Sequence, residues 1–153
     1  MPSVPEPELD ELYKDLILDH YRRPRNRHSV AEPKIVGEGF NPLCGDEISV
    51  EAHFDGDVLS DVGFEGRGCS ISQASGSMMT EAVKGKTAAE AKALIDAFTR
   101  MMTDPDFQPS DGLGDLEAFA GVAKYPVRVK CATLAWHALL DLLSRRGEVQ
   151  GEG

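Results

Sequence analysis

Apolar side chains at Leu9, Leu12, Leu16, Ile17 and Tyr21 follow the three-and-four spacing of one helical face, which predicts a helix over residues 8–21. From Glu47 the period drops to two. Ile48, Val50, Ala52 and Phe54 alternate with Glu47, Ser49, Glu51 and His53, the pattern of a strand with one buried face. His53 falls on the polar parity and is expected to face solvent. Asp55-Gly56 predicts a hairpin turn. The return strand carries Val58, Val62 and Phe64 on one parity and ends near Gly66-Arg67-Gly68. A third, shorter strand around Lys34–Phe40 completes a small antiparallel sheet.

Beyond Gly68 the period becomes helical. Ile71, Ala74, Met78 and Ala82 mark a helix over 70–84. Thr87-Ala-Ala-Glu90 is a capping box, a hydroxyl and a carboxylate placed to satisfy free N–H groups at a helix start. It opens a helix that turns Ala91, Leu94, Ile95, Phe98 and Met102 inward. Residues 103–114 are a loop by composition. Leu116, Phe119, Ala120 and Ala123 indicate a short helix, and a last one over 127–144 buries Val129, Ala132, Trp136, Leu139, Leu140 and Leu143. Strands first and helices after, without β–α alternation, give an α+β fold: a three-stranded antiparallel sheet, an N-terminal helix and a C-terminal group of helices. A single domain is expected over residues 8–147, with disordered ends at 1–7 and 148–153.

Charge narrows the function. The chain has 16 basic and 26 acidic residues, a net of −10, whereas nucleic-acid and anionic-membrane binders need a positive field. No apolar run reaches the roughly 18–20 residues that span a bilayer. The opening residues lack a secretory pattern, so a cytoplasmic protein is expected. The one basic concentration is Arg22-Arg-Pro-Arg-Asn-Arg27, four arginines in six positions. It reads equally as cations complementing a helix end and as a docking patch for an acidic protein.

The three cysteines stand at element starts. Cys44 lies in the turn Pro42-Leu-Cys-Gly-Asp46, where Gly45 frees the backbone to bend. Cys69 leads into the helix of 70–84, and Cys131 is placed in the first turn of the last helix after Arg128 and Lys130. Helix starts and nearby cations favour thiolate. Converging thiolates repel strongly unless a cation holds them. Three sulfurs and the Asp46 carboxylate would complete a tetrahedral Zn²⁺ site, in which the hard oxygen donor is the most easily displaced.

Three motifs in order, Asn41-Pro-Leu-Cys-Gly-Asp46, Gly66-Arg-Gly-Cys-Ser-Ile-Ser-Gln-Ala-Ser75 and Arg128-Val-Lys-Cys-Ala-Thr-Leu-Ala-Trp136, closely resemble the SufU branch of the U-type iron–sulfur cluster assembly family, which also contains IscU and the NifU N-terminal domain. The likeness takes in Leu12-Tyr13 and Leu18-Asp-His-Tyr21 and covers nearly the whole chain. It implies an IscU/SufU-like fold, with Cys44, Asp46, Cys69 and Cys131 as zinc ligands and Cys44 as sulfur acceptor. It further implies a PLP-dependent, SufS-like cysteine desulfurase as partner, activated by the chain, with downstream assembly proteins or a thiol reductant receiving the sulfur. Arg128 and Lys130 would support the charge during transfer, or stand as ordinary solvated cations at a helix start, the reading that suits Lys130 better. The alternative within the family is an IscU-type scaffold that holds iron or a transient Fe–S cluster. In that branch a histidine precedes the third cysteine, where this chain has Lys130, and a Leu-Pro-Pro-Val-Lys motif stands where this chain reads Tyr125-Pro-Val-Arg-Val-Lys130. The stretch Thr99–Ala123 also resembles the insertion of SufU-like proteins. These departures favour the carrier.

Overall fold

The period-two segment becomes the middle strand of the sheet. A computed structural model describes residues 11–42, 45–104, 106–107 and 113–151. Helix α1 (Glu11–Arg22) precedes strands β1 (Ile35–Asn41), β2 (Asp46–Asp55) and β3 (Val58–Arg67), which pair antiparallel in the order β1-β2-β3. Helices α2 (Ser70–Val83) and α3 (Ala88–Thr103), a 3-10 helix at Gly114–Lys124 and the long α4 (Pro126–Gly151) follow. The α+β expectation holds. Helix α4 runs past residue 147, and the predicted leader at 1–7 lies outside the described residues.

Ile48, Val50 and Ala52 are buried as their alternation requires. The return strand departs from expectation. His53 pairs with Asp61 but Phe54 pairs with Leu59, so Ser60 is an extra residue, a β-bulge. A bulge reverses the parity of what lies beyond it. Leu59 therefore enters the core and Val58 stays half-buried. His53 is also half-buried, with its Nδ1 2.6 Å from the Pro33 carbonyl oxygen.

Helix α4 lies across the inner face of the sheet and packs against α2 and α3. Its approach to β1 needs Gly37, because a methyl there would overlap the Ala138 carbonyl and lie 2.6 Å from the Leu142 nitrogen. Trp136, fully buried, stacks on Phe98 of α3 at 4.4 Å between centroids, and Phe119 meets Phe98 edge-on at 5.8 Å. These rings tie α3, the 3-10 helix and α4 together. Leu140, expected inside, is exposed, and Leu142 takes a core position. The predicted short helix winds as 3-10, a region where Gly121 and Val122 bring little α propensity. The capping box forms as expected: Thr87 accepts from the Glu90 N–H at 3.1 Å, and the Thr87 N–H donates to Glu90 at 2.9 Å. Among the described residues no helix is long and apolar enough to cross a membrane.

Candidate metal centre

Three elements bring their ends to one place. Asn41, the last residue of β1, pairs with Asp46, the first of β2. The N–H of Gly45 donates to the Asn41 carbonyl at 2.8 Å, and Gly45 itself has φ +73°, a left-handed conformation that suits glycine. Strand β3 ends at Arg67, and Gly68 carries the chain to Cys69, the N-cap of α2. Cys131 comes from α4. One donor atom each from Asp46, Cys69 and Cys131 lies within 4.8 Å of the other two. Cys44 lies outside the described residues.

Burial and hydrogen bonding set the character of the site. Asp46 and Cys131 are buried and Cys69 is half-buried. The Cys69 thiol is held down to about 6, first by a hydrogen bond from Cys131 and then by the N–H groups of Ser72 and Ile71, against burial and the Asp46 charge. Cys131 corrects the sequence reading: α4 begins at Pro126, so this thiol sits in the second turn, with its Sγ 3.7 Å from the Val127 carbonyl oxygen. The helix-start field therefore acts on Cys69 and much less on Cys131.

Two observations test whether a cation fits. Oδ2 of Asp46 is buried with no hydrogen-bond partner among the described residues, an arrangement that costs free energy unless something positive meets it. Zinc–sulfur bonds of about 2.3 Å place tetrahedral sulfurs about 3.8 Å apart, so donors already within 4.8 Å need only a small closure. The donor set, two soft thiols and a carboxylate, suits zinc or iron. The residues fit.

Gly68 was not singled out from sequence. A Cβ there would come within 2.7 Å of the Asp46 carboxyl carbon and would overlap the Ser72 hydroxyl, so only glycine lets the chain pass this close. The Gly-x-Gly immediately before a cysteine was the available signal. Ser72 was missed too; besides its N–H, its hydroxyl donates to the Cys69 carbonyl at 3.0 Å. Arg128 has a buried Nε without a partner, Lys130 is exposed, and neither side chain forms an ion pair among the described residues. The arginine cluster is less free than its sequence suggests. Asp19 binds Arg23 at 2.6 Å and Arg25 at 2.5 Å, and Arg27 donates to the Gly66 carbonyl at 2.8 Å. These bonds hold the Asp19 carboxyl down at about 2.

The NifU-like N terminal domain model matches residues 12–132. The chain belongs to this family. Zinc-dependent sulfurtransferase SufU of Bacillus subtilis (strain 168) is 50% identical over 131 residues, which cover 86% of this chain and 88% of that protein. Iron-sulfur cluster assembly scaffold protein IscU of Streptococcus pyogenes serotype M1 is 43% identical over 143 residues, 94% and 89% of the two chains. Among solved structures, FiSufU of Fervidobacterium islandicum AW-1 superposes with a TM-score of 0.79 at 39% identity, over 84% of this chain and 94% of that one. The chain is thus a SufU/IscU-type member of the NifU N-terminal family, built on that family's sheet-and-helix fold.

Proposed function

We propose that the chain is a zinc-dependent sulfur carrier of iron–sulfur cluster assembly, acting in the cytoplasm. It accepts sulfur on Cys44 from a PLP-dependent cysteine desulfurase and activates that enzyme. The observation that carries this reading is the convergence of Asp46, Cys69 and Cys131 around an orphaned carboxylate oxygen, one residue along the chain from Gly45 and hence two from Cys44. Cys44 completes the four donors. Bound Zn²⁺ supplies a positive charge that keeps the thiols ionised at neutral pH.

The chain's own groups do the rest. Gly45 takes the left-handed conformation that turns the chain directly before Asp46 at the start of β2. Cys44 thiolate attacks the outer sulfur of the desulfurase persulfide. A sulfur–sulfur bond forms on Cys44 as the bond to the desulfurase cysteine breaks, and the electron pair leaves with that cysteine. Cys69, Cys131 and Asp46 stay in place. Arg128 and Lys130, three residues and one residue before Cys131 in the chain, supply positive charge that supports the thiolates of the exchange. A thiol reductant or a downstream assembly protein then takes the sulfur.

The test combines metal analysis with mass spectrometry. Purified protein should hold about one zinc per chain. Incubation with the desulfurase and cysteine should make Cys44 heavier by one sulfur atom, and Cys44→Ala should abolish both the adduct and the acceleration of desulfurase turnover. Turnover acceleration retained in Cys44→Ala would remove Cys44 from the role. The second reading is a scaffold, favoured by the 43% identity to the streptococcal IscU. It predicts brown protein whose cluster passes to an apo-acceptor.

A further inference from the structure

The outer face of the sheet divides into a covered half and an open half. Residues 28–34 fold over the half distant from Asp46. Gly63 lies against the His28 carbonyl and Val30, the Val30 N–H donates to Glu51 at 2.9 Å, and Lys34 reaches the same carboxylate at 3.1 Å. Val30 is buried there. Among the described residues the half adjoining Asp46 has no such cover. Residues directly paired across strands share a face. Register therefore sets Phe40, Glu47 and Arg67 in one outward row, and Glu38, Ser49 and Glu65 in the next. All of these but Arg67 line a concavity of about 490 Å³.

Two properties of this surface have no use within the fold. Phe40 is 60% exposed, the most exposed of the large apolar side chains described. Glu47 is answered by Arg67 at 3.1 Å, but the carboxylates of Glu38 and Glu65 have no partner among the described residues. Strand spacing puts these two about 10 Å apart at the backbone, with Ser49 between them. Two free anions beside an exposed ring complement a cation carried next to an apolar group. The surface also ends at the metal centre: Phe40 precedes Asn41, and Glu47 follows Asp46.

We propose that this open half-face is a docking surface for the sulfur-donating protein, which seats an apolar side chain on Phe40 and an arginine or lysine between Glu38 and Glu65. The choice of occupant rests on the sulfur-transfer reading above. The surface is opposite in sign to the arginine-rich segment at Arg22–Arg27 and fixes the partner's approach from the sheet side of the centre. Rim charges act mainly on encounter and salt dependence, whereas a buried aromatic anchor acts on residence time.

The experiment measures calorimetric binding of the zinc-loaded chain to the purified cysteine desulfurase of the same organism, at low salt and at about 0.15 M ionic strength, where the screening length is about 8 Å. Phe40→Ser should raise Kd about tenfold at both salt concentrations, the loss expected of one aromatic anchor. Glu38→Lys with Glu65→Lys should raise Kd at least as much at low salt, by a factor that shrinks at the higher one. Both changes sit on the solvent face, and unchanged zinc content and helicity would confirm that the variants fold. Variants that bind within twofold of the parent would overturn the docking surface, as would a parent chain that does not bind the desulfurase. Sulfur on Cys44 is read in the same samples. Weakened variants with no sulfur on Cys44 in the parent sink the transfer reading but keep the surface; sulfur on the parent with unweakened variants does the reverse.

Discussion

Helices α2 and α4 bring buried polar groups together at two stations, and the two stations are bonded differently. At Ser75, six residues along from Cys69, the hydroxyl donates to the Ala132 carbonyl at 2.6 Å and accepts from Trp136 Nε1 at 3.0 Å. Ser75 and Trp136 are fully buried and these polar atoms are satisfied. At Cys69 and Cys131 the same two helices bring up two thiols beside a carboxylate whose Oδ2 has no partner. Packing between the helices explains the first station completely. It leaves the second incomplete, and incompleteness in a buried polar cluster marks the place where something from outside binds.

The largest effects should come from removing a donor at the incomplete station. Cys131→Ser and Asp46→Ala should each reduce zinc from about one per chain to a small fraction, read by elemental analysis. If free zinc stands at about 100 times Kd, binding contributes about 2.7 kcal/mol. At roughly 2–4 °C per kcal/mol for a chain of this size, the melting temperature should fall by about 5–10 °C. Asp46→Ala also has a sign that depends on metal. In chelator-treated protein the change removes a buried oxygen that bonds to nothing, so the variant should melt no lower than the parent. A stoichiometric zinc content in Cys131→Ser would dissolve the contrast between the stations.

Gly68→Ala comes next. It keeps every donor yet pushes a methyl toward the Asp46 carboxylate, whose Oδ1 would lie 2.9 Å from it. Displacing a ligand without deleting it should weaken zinc binding about 10- to 100-fold, the range seen for groups that orient ligands. A chelator competition series reads this directly. The fold should persist, because Gly68 lies in the link between β3 and α2 and outside both elements. Unchanged zinc affinity would mean that the carboxylate can move aside at no cost.

Smaller again is Ser75→Ala. It strands the Trp136 N–H in the core and should cost about 1–3 kcal/mol in unfolding free energy, with zinc stoichiometry unchanged. Urea denaturation and metal analysis on one preparation would check both halves. Loss of zinc in this variant would show the two stations to be one cooperative unit.

The stations were unequally legible in the sequence. Period-two and helical spacing located β2 and α3, because each has one face against the core; α2 and α4 were located by apolar spacing although residues 71–80 and 131–136 are buried on every side. The bulge at Ser60 was not visible: an extra residue leaves no trace in a pattern read one strand at a time, and only pairing with His53 and Phe54 exposes it. Cys69 could be placed at a helix start from Gly66-Arg-Gly68, whereas Cys131 was put in the first turn although it is the sixth residue of α4, whose start at Pro126 lies one residue from the predicted one. Convergence of Asp46, Cys69 and Cys131 is a tertiary fact. Family resemblance anticipated it; hydrophobic spacing could not. Asp19 taking up Arg23 and Arg25 was equally hidden, since a charge run read from sequence does not say which of its cations are already engaged.

The smallest expected effect concerns another satisfied polar contact, between α1 and α2. His20 is buried, with Nδ1 2.7 Å from Ser77 Oγ, which also accepts the Arg25 N–H at 2.9 Å. That backbone bond engages one lone pair of Ser77, and donation of its proton to Nδ1 suits a neutral ring with the hydrogen on Nε2. Burial lowers the His20 pKa below 6.5 and Arg25 lowers it further, against the opposing pull of Glu81, Asp19 and Asp115. The unfolded chain then binds this proton more readily than the folded one. Stability from this group is complete above about pH 6.5 and is lost as pH falls from there through the folded pKa. The lowered carboxylates Asp19, Glu90 and Asp141 act at lower pH, below their ordinary values of 3.8 to 4.5. The Cys69 thiol adds a slope between 9 and about 6 in metal-free protein. That contribution is common to parent and His20→Gln, and it cancels in their difference. Urea midpoints of the two proteins at intervals from pH 8 to about pH 5 should therefore diverge only below about 6.5, with the parent losing more. Zinc content should be equal in both at neutral pH, as befits a contact whose bonds close within the chain. Parallel curves across the whole range would mean that His20 gains and loses its proton as freely folded as unfolded, and that burial beside Ser77 does not set its charge.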